Sequence, residues 1–201
     1  SQSTSIQNGE TAFILSQHDY LAHDTSNFTN GLVAYYKLDE NASSTTVEDV
    51  YSIHDGTLEG NVNTRAVSRT GMIKRAFDFD GTDDAVNFGD NPIFEFSNTP
   101  FTIEAWIKQD ILPSVDGSNH MIFTKFKTTD DEREFRFYVD IVTDTLAFST
   151  STNGGIGTQT VIKANTNLSA GTWYHVALTK TGQTTATFYV NGVADGSGTV
   201  G

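Results

Sequence analysis

Residues 75–90, RAFDFDGTDDAVNFGD, decide how this chain folds. Phe77 and Phe79 alternate with Asp78 and Asp80, the period of a strand with one dry face and one wet face. Asp80-Gly81 then signals a turn, because glycine accepts positive φ without steric cost and aspartate bonds its own backbone nearby. Val86 and Phe88 resume the alternation, so residues 76–79 and 85–88 read as two short strands around an acidic turn. No side chain here is a nucleophile with a base beside it. The stretch points to binding rather than to chemistry.

The same pattern extends outward in both directions. Residues 31–38, GLVAYYKL, set Leu32, Ala34 and Tyr36 against Val33, Tyr35 and Lys37. Residues 101–109, FTIEAWIKQ, set Phe101, Ile103, Ala105 and Ile107 against Thr102, Glu104, Trp106 and Lys108. Further strands are expected over residues 58–62, 121–127, 134–142, 145–150, 159–163, 173–180 and 186–190, separated by glycine turns that end at Asn191-Gly192. No stretch holds a sustained helical period, and no repeat is evident. Many short strands with regular turns make an all-β protein, and two packed antiparallel sheets are the economical way to bury their alternating faces. Residues 1–30 are polar around an apolar cluster at residues 12–15 and read as an N-terminal extension or linker carrying one edge strand; the domain proper spans residues 31–201.

Composition narrows the function classes. With 37 % apolar residues, 14 Phe and 7 Tyr in 201 residues, the chain can fill a sandwich core. A net charge of −13 argues against nucleic acid and anionic membranes as partners. The absence of cysteine removes disulfides, thiolate catalysis and cysteine zinc sites. No apolar run is long enough for a bilayer and no signal peptide starts at Ser1; the opening Ser-Gln-Ser-Thr reads as a processed or excised piece. Asn27, Asn41 and Asn167 stand in glycosylation sequons.

The succession GLVAYYKLDE, HDGTLEG, AFDFDGTDDAVNFGD, FTIEAWIK, WYHVALTKTG and FYVNG resembles the laminin-G-like, concanavalin-A-like jelly-roll domains over residues 31–192. The resemblance implies a two-sheet antiparallel jelly roll with a structural calcium ion at its rim. It also implies a further strand and a closing strand beyond Asn191-Gly192, yet the chain ends at Gly201. The closing strand is therefore expected to be missing. Three explanations are expected in this order: a chain cut short of its closing strand, residues 11–15 filling the gap, or a strand from a neighbouring subunit covering the open edge.

For calcium, the resemblance directs attention to Asp49 and Asp55 in the loop after the first strand, with Asp39 and Glu40 beside them. Residues 50–53 are bulkier than the family's glycines and asparagine there. Asp78, Asp80, Asp83 and Asp84 form a second acidic group without the spacing of an EF-hand. The paired acids of a glycoside hydrolase are not apparent: Glu104 stands alone on its strand, and residues 131–134 read as a charged loop edge. His18 and His23 lack a third zinc ligand nearby, and His175 reads as a structural histidine on a core strand. Trp106 and Trp173 read as core residues, leaving Tyr51, Phe94 and Phe96 as loop-borne aromatic candidates and Asn153 as a candidate in a glycine-rich loop.

These readings converge on a non-catalytic module, extracellular or on a cell or virion surface. It would bind glycans or a protein partner, with calcium as the one expected cofactor. The alternative is a structural subunit of a filament, pilus, fibre or capsid decoration, self-assembling through an open sheet edge. A glycoside hydrolase ranks third.

Overall fold

A computed structural model describes residues 4–5, 11–12, 31–51, 53–60, 62–96, 99–126, 133–181 and 184–200. The described strands are, in chain order, β1 (Thr4–Ser5), β2 (Thr11–Ala12), β3 (Thr46–Val47), β4 (Gly56–Glu59), β5 (Ser68–Thr70), β6 (Arg75–Phe77), β7 (Ala85–Asn87), β8 (Phe101–Lys108), β9 (His120–Phe126), β10 (Arg133–Val139), β11 (Thr145–Ser151), β12 (Gln159–Asn167), β13 (Trp173–Thr181), β14 (Thr185–Val190) and β15 (Val193–Thr199). Short helices α1 (Thr64–Val67) and α2 (Pro113–Asp116) lie between them.

Alternation builds two main sheets. One has the order β1-β9-β10-β11-β12 and the other β15-β14-β13-β8-β2, both antiparallel. Ile103, Ala105 and Ile107 of β8 and Val176 and Leu178 of β13 face Phe135, Phe137 and Val139 of β10 and Leu146 and Phe148 of β11 in one core. Phe137 and Phe188 stack across the two sheets with centroids 6.3 Å apart. Each such side chain removed from water contributes about 1.5–3 kcal/mol. The all-β, two-sheet antiparallel architecture read from the sequence is the one observed.

Beyond the Asn191-Gly192 turn the chain adds β15, which the sequence reading did not assign. It lies against β12: Asp195 accepts from the Thr166 amide at 3.0 Å and from the Thr166 hydroxyl at 2.7 Å. The approach is close enough that a Cβ at Gly198 would sit 2.5 Å from Ile162 Cγ2. In the N-terminal segment, β1 pairs with Lys125 and Thr124 at one sheet edge, and β2 pairs with Ile107 and Trp106 at an edge of the other. Residues 13–15, His18, His23 and Asn27 lie outside the described residues.

Two local expectations are corrected. Residues 76–79 and 85–88 do not form a hairpin: β6 pairs with β5, and β7 pairs with β4. The backbone between them is taken up elsewhere, Asp78 N–H by the Val67 carbonyl, Asp80 N–H by Asp84 Oδ2 and Thr82 N–H by Asp80 Oδ1. Phe77, Phe79, Val86 and Phe88 nevertheless all enter the core as read. Residues 31–38 make no regular strand, only a bridge from Tyr36 to Asp49. A carboxylate substitutes for the ladder, because Tyr35 N–H donates to Asp49 Oδ1 and Leu38 turns the chain at φ 51°.

Candidate functional site

Where β8 begins, the sandwich opens into a cleft of about 760 Å³ between residues 31–36 on one side and residues 93–104 on the other. Its walls are apolar: Leu32, Val33, Ile93, Phe96 and Phe101 line it, and Leu32 and Val33 remain exposed. Polar groups enter from the outward face of β8 and β13, where Thr102 pairs with Thr179 and Glu104 with Ala177. Glu95, Thr99, Lys180, Thr181 and Tyr189 add further polar groups to the lining.

The alternation that packs the core also sets these polar groups in place. Tyr174, Val176 and Leu178 occupy the dry face of β13, and Lys180 follows them in phase. Its side chain is buried, and desolvation lowers its pKa below the ordinary lysine value. Lys180, Glu95, Phe96 and Phe101 also line an adjoining recess of about 490 Å³, together with Glu134 and Thr150. Thr150 Oγ1 is buried there without a hydrogen-bond partner.

Behind the recess, Lys125 projects from the dry face of β9 with its side chain 1 % exposed. Its Nζ lies 3.2 Å from Glu134, 3.3 Å from Glu95 and 3.4 Å from Asp90. Burial opposes the charge, but hydrogen bonds and attraction from Glu134 and Glu95 outweigh it, and the Lys125 pKa is raised. For Glu134, burial first, then Glu95 and Asp90, outweigh the single ammonium and raise the carboxyl as well. Sequence reasoning missed this cluster and Lys180. Their signal was a lysine at a position where the alternation calls for an apolar residue.

The sequence-derived aromatic candidates divide. Phe96 lines the cleft and stacks on Phe101 with centroids 4.2 Å apart. Phe94 also borders it, but is 4 % exposed rather than loop-exposed, because it packs edge-on to Phe123 and Phe88. Tyr51 is 46 % exposed and stands outside the cleft lining. Asn153 is exposed, and its Oδ1 is occupied by the Gly155 amide and the Thr158 hydroxyl. Trp106 and Trp173 are not core residues. Ile107 and Tyr174 beside them take the inward positions, which turns both indoles onto the outward face, half-buried. His175 shares that face, with its ring 5.4 Å from Trp106 and its Nε2 3.7 Å from Glu104.

The four candidate calcium ligands do not converge as one set. Among the described residues, the group of three or more acids whose oxygens all lie within 4.8 Å of one another is Asp80, Asp83 and Asp84. Asp49 and Asp55 do meet: Asp55 Oδ1 accepts from Asp49 N–H at 2.9 Å, and burial and then both carboxylates push the Tyr36 phenol upward. Asp49 is 1 % exposed, and its Oδ2 is buried with no partner. That orphaned oxygen beside a second carboxylate fits a divalent cation. Glu40 lies apart, its Oε1 on the Glu48 amide and its Oε2 buried and unpartnered. Asp39 is half-buried and makes no contact with this pair among the described residues.

A family model described as the concanavalin A-like lectin/glucanases superfamily (Laminin_G_3) matches residues 80–201, more than half of the chain. The chain belongs to this superfamily. Among solved structures, the binding domain of Paraclostridial Mosquitocidal Protein 1 is similar at a TM-score of 0.57 and 15 % identity, over 81 % of this chain and 41 % of that one. This chain thus spans about two fifths of that structure's length, and the likeness is one of fold. No curated protein matches the chain.

Proposed function

We propose that this concanavalin A-like domain is a non-catalytic recognition module, presented outside the cell or on a virion surface, that takes a glycan in the cleft at the start of β8. The observation that carries the reading is the composition of that cleft: apolar walls from Leu32, Val33 and Phe101 face hydroxyls of Thr102 and Thr179 and the carboxylate of Glu104. Sugars present the same pair of surfaces, an apolar ring face and a rim of hydroxyls, and a largely preformed pocket of this size holds one or two rings. Superfamily membership and the name of the mosquitocidal neighbour, a binding domain, support a binding role. The acids that line the cleft support a non-catalytic one, since Glu95 is drawn to Lys125 and leaves Glu104 without a second free acid among the lining residues.

A calcium ion held by Asp49 and Asp55 belongs to this reading. It would supply charge to the orphaned Asp49 oxygen and brace residues 31–38, which form one wall of the cleft. The test is a glycan array read with wild-type protein and with Thr102→Trp, which fills the cleft from an exposed strand position. Signal on defined glycans that Thr102→Trp abolishes supports the proposal. An array silent for wild type contradicts it.

A further inference from the structure

Thr150 and Lys180 interrupt the dry faces of the two sheets at one end of the sandwich. On β11 the inward positions run Leu146, Phe148, Thr150, and on β13 they run Val176, Leu178, Lys180. Both polar side chains are buried, at 8 % and 2 % exposure, and both line the recess of about 490 Å³ beside the cleft. Thr150 Oγ1 has no hydrogen-bond partner. Buried hydroxyls are nearly always paired in folded proteins, so one left orphaned against a cavity calls for a group that the cavity receives. The rest of the lining says which group. Phe96, Phe101, Phe135 and Phe148 supply aromatic surface, with the Phe96 and Phe135 centroids 5.0 Å apart. Among the described residues, Glu95 and Glu134 in the lining balance Lys180 and the Lys125 behind them, and Asp90 adds a further acid to Lys125 from outside. No surplus of positive charge is left there for an anion. An uncharged body with an apolar face and several hydroxyls fits this lining, which is a neutral pyranose. The recess shares Glu95, Phe96, Phe101 and Lys180 with the cleft, so the two adjoin.

We propose, on the glycan reading of the cleft, that the recess is a second sugar subsite continuous with it, so that the ligand is an uncharged glycan chain of two or more units with its end unit held by Thr150 and Lys180. A sugar hydroxyl supplies the partner that Thr150 lacks, since each hydroxyl both donates and accepts. Threonine in a strand has two common χ1 rotamers, so its hydroxyl turns toward the recess when a ligand arrives. The Lys180 ammonium is already desolvated by its surroundings and donates to further hydroxyls with little water left to lose.

The experiment reads an array of mono-, di- and trisaccharides of the same hexoses, neutral and acidic, with wild type, Thr102→Trp, Thr152→Trp and Thr150→Val. Wild type binds neutral chains about tenfold or more tighter than the matching single units. Thr152 is exposed and lines the recess but not the cleft, so Thr152→Trp fills the recess alone and reduces chain binding to the single-unit level. Thr150→Val lowers chain affinity roughly three- to tenfold, leaves single units unchanged and melts no lower than wild type, because the hydroxyl it removes is unpaired in the free protein. Single units bound as tightly as chains, or chains bound equally by Thr152→Trp and Thr150→Val, would overturn the subsite while the loss in Thr102→Trp still upheld the cleft. Chain binding that survives Thr102→Trp would overturn the cleft reading instead, and a silent array would overturn both. Signal confined to acidic glycans would overturn the uncharged ligand.

Discussion

The carboxylate of Asp49 accepts the amide of Tyr35 at 3.1 Å, and this contact fixes one wall of the cleft. The same Oδ1 accepts from Tyr51 N–H at 3.3 Å, so one buried oxygen organises both the segment before it and the loop after it. Asp49→Ala leaves two backbone donors without their acceptor and lowers stability by about 2–3 kcal/mol. Urea unfolding measures it, and a loss below about 0.5 kcal/mol would show that water replaces the carboxylate.

Calcium acts through the other oxygen of the same residue. An ion that binds only the folded chain adds about 2.7 kcal/mol at a hundredfold excess over its Kd. Melting temperature therefore rises with calcium and falls on adding EGTA. Asp49→Asn keeps the Oδ1 acceptor but removes the charge, and abolishes the calcium response. An EGTA-insensitive wild type contradicts the Asp49–Asp55 site.

Glu40 yields a test in acid. Burial pushes its carboxyl above the ordinary 4.5, against the help of backbone hydrogen bonds. The folded chain thus holds this proton more tightly than the unfolded one. The group's contribution is full below pH 4.5 and is lost as pH rises through the folded value. Glu40→Gln, neutral at every pH and still able to accept from Glu48 N–H, melts higher than wild type at pH 7, and the two converge in acid. A lower melting temperature for the variant at pH 7 would contradict the cost assigned to this charge.

Lys125 behaves in the opposite pH range. Its pKa is raised above the ordinary 10.5, so its ionic contribution is intact below that value and disappears as pH climbs through the folded pKa. Lys125→Met costs about 1–2 kcal/mol at neutral pH, a modest figure because Asp90, Glu95 and Glu134 are solvent-accessible enough to rehydrate. Chemical denaturation of both proteins between neutral and alkaline pH should show the gap narrowing. A gap that stays constant would mean that Lys125 contributes through its alkyl packing alone.

Fold and site were unequally legible in the sequence. Alternation placed Phe77, Phe79, Val86 and Phe88 in the core correctly, because a period of two encodes which side chains share a face. It did not encode which strand pairs with which, so β6 and β7 read as one hairpin although each joins a different neighbour. Nor does alternation say which of its two faces is dry: on β8 both Ile107 and Trp106 are apolar, and the indole went outward. The 193–199 strand, VADGSGT, escaped notice because its apolar content is low and two glycines interrupt it. Gly198 is there for the close approach to Ile162, a tertiary requirement that no local pattern announces. The cleft joins residues 31–36 to residues 93–104 and 179–181, so its polar members Lys180 and Glu104 came to line one cleft only once β8 and β13 had paired. Asp49 and Asp55, by contrast, are close in sequence, and their meeting was readable beforehand.

The most direct test of the cleft as the recognition site is an NMR titration of the wild-type chain with a glycan identified on the array, followed through the amides of Thr102, Glu104, Thr179 and Lys180. Saturable shifts at these four positions, absent in Thr102→Trp, are the predicted result. Saturable shifts confined to other surfaces, with these amides unmoved, would contradict it.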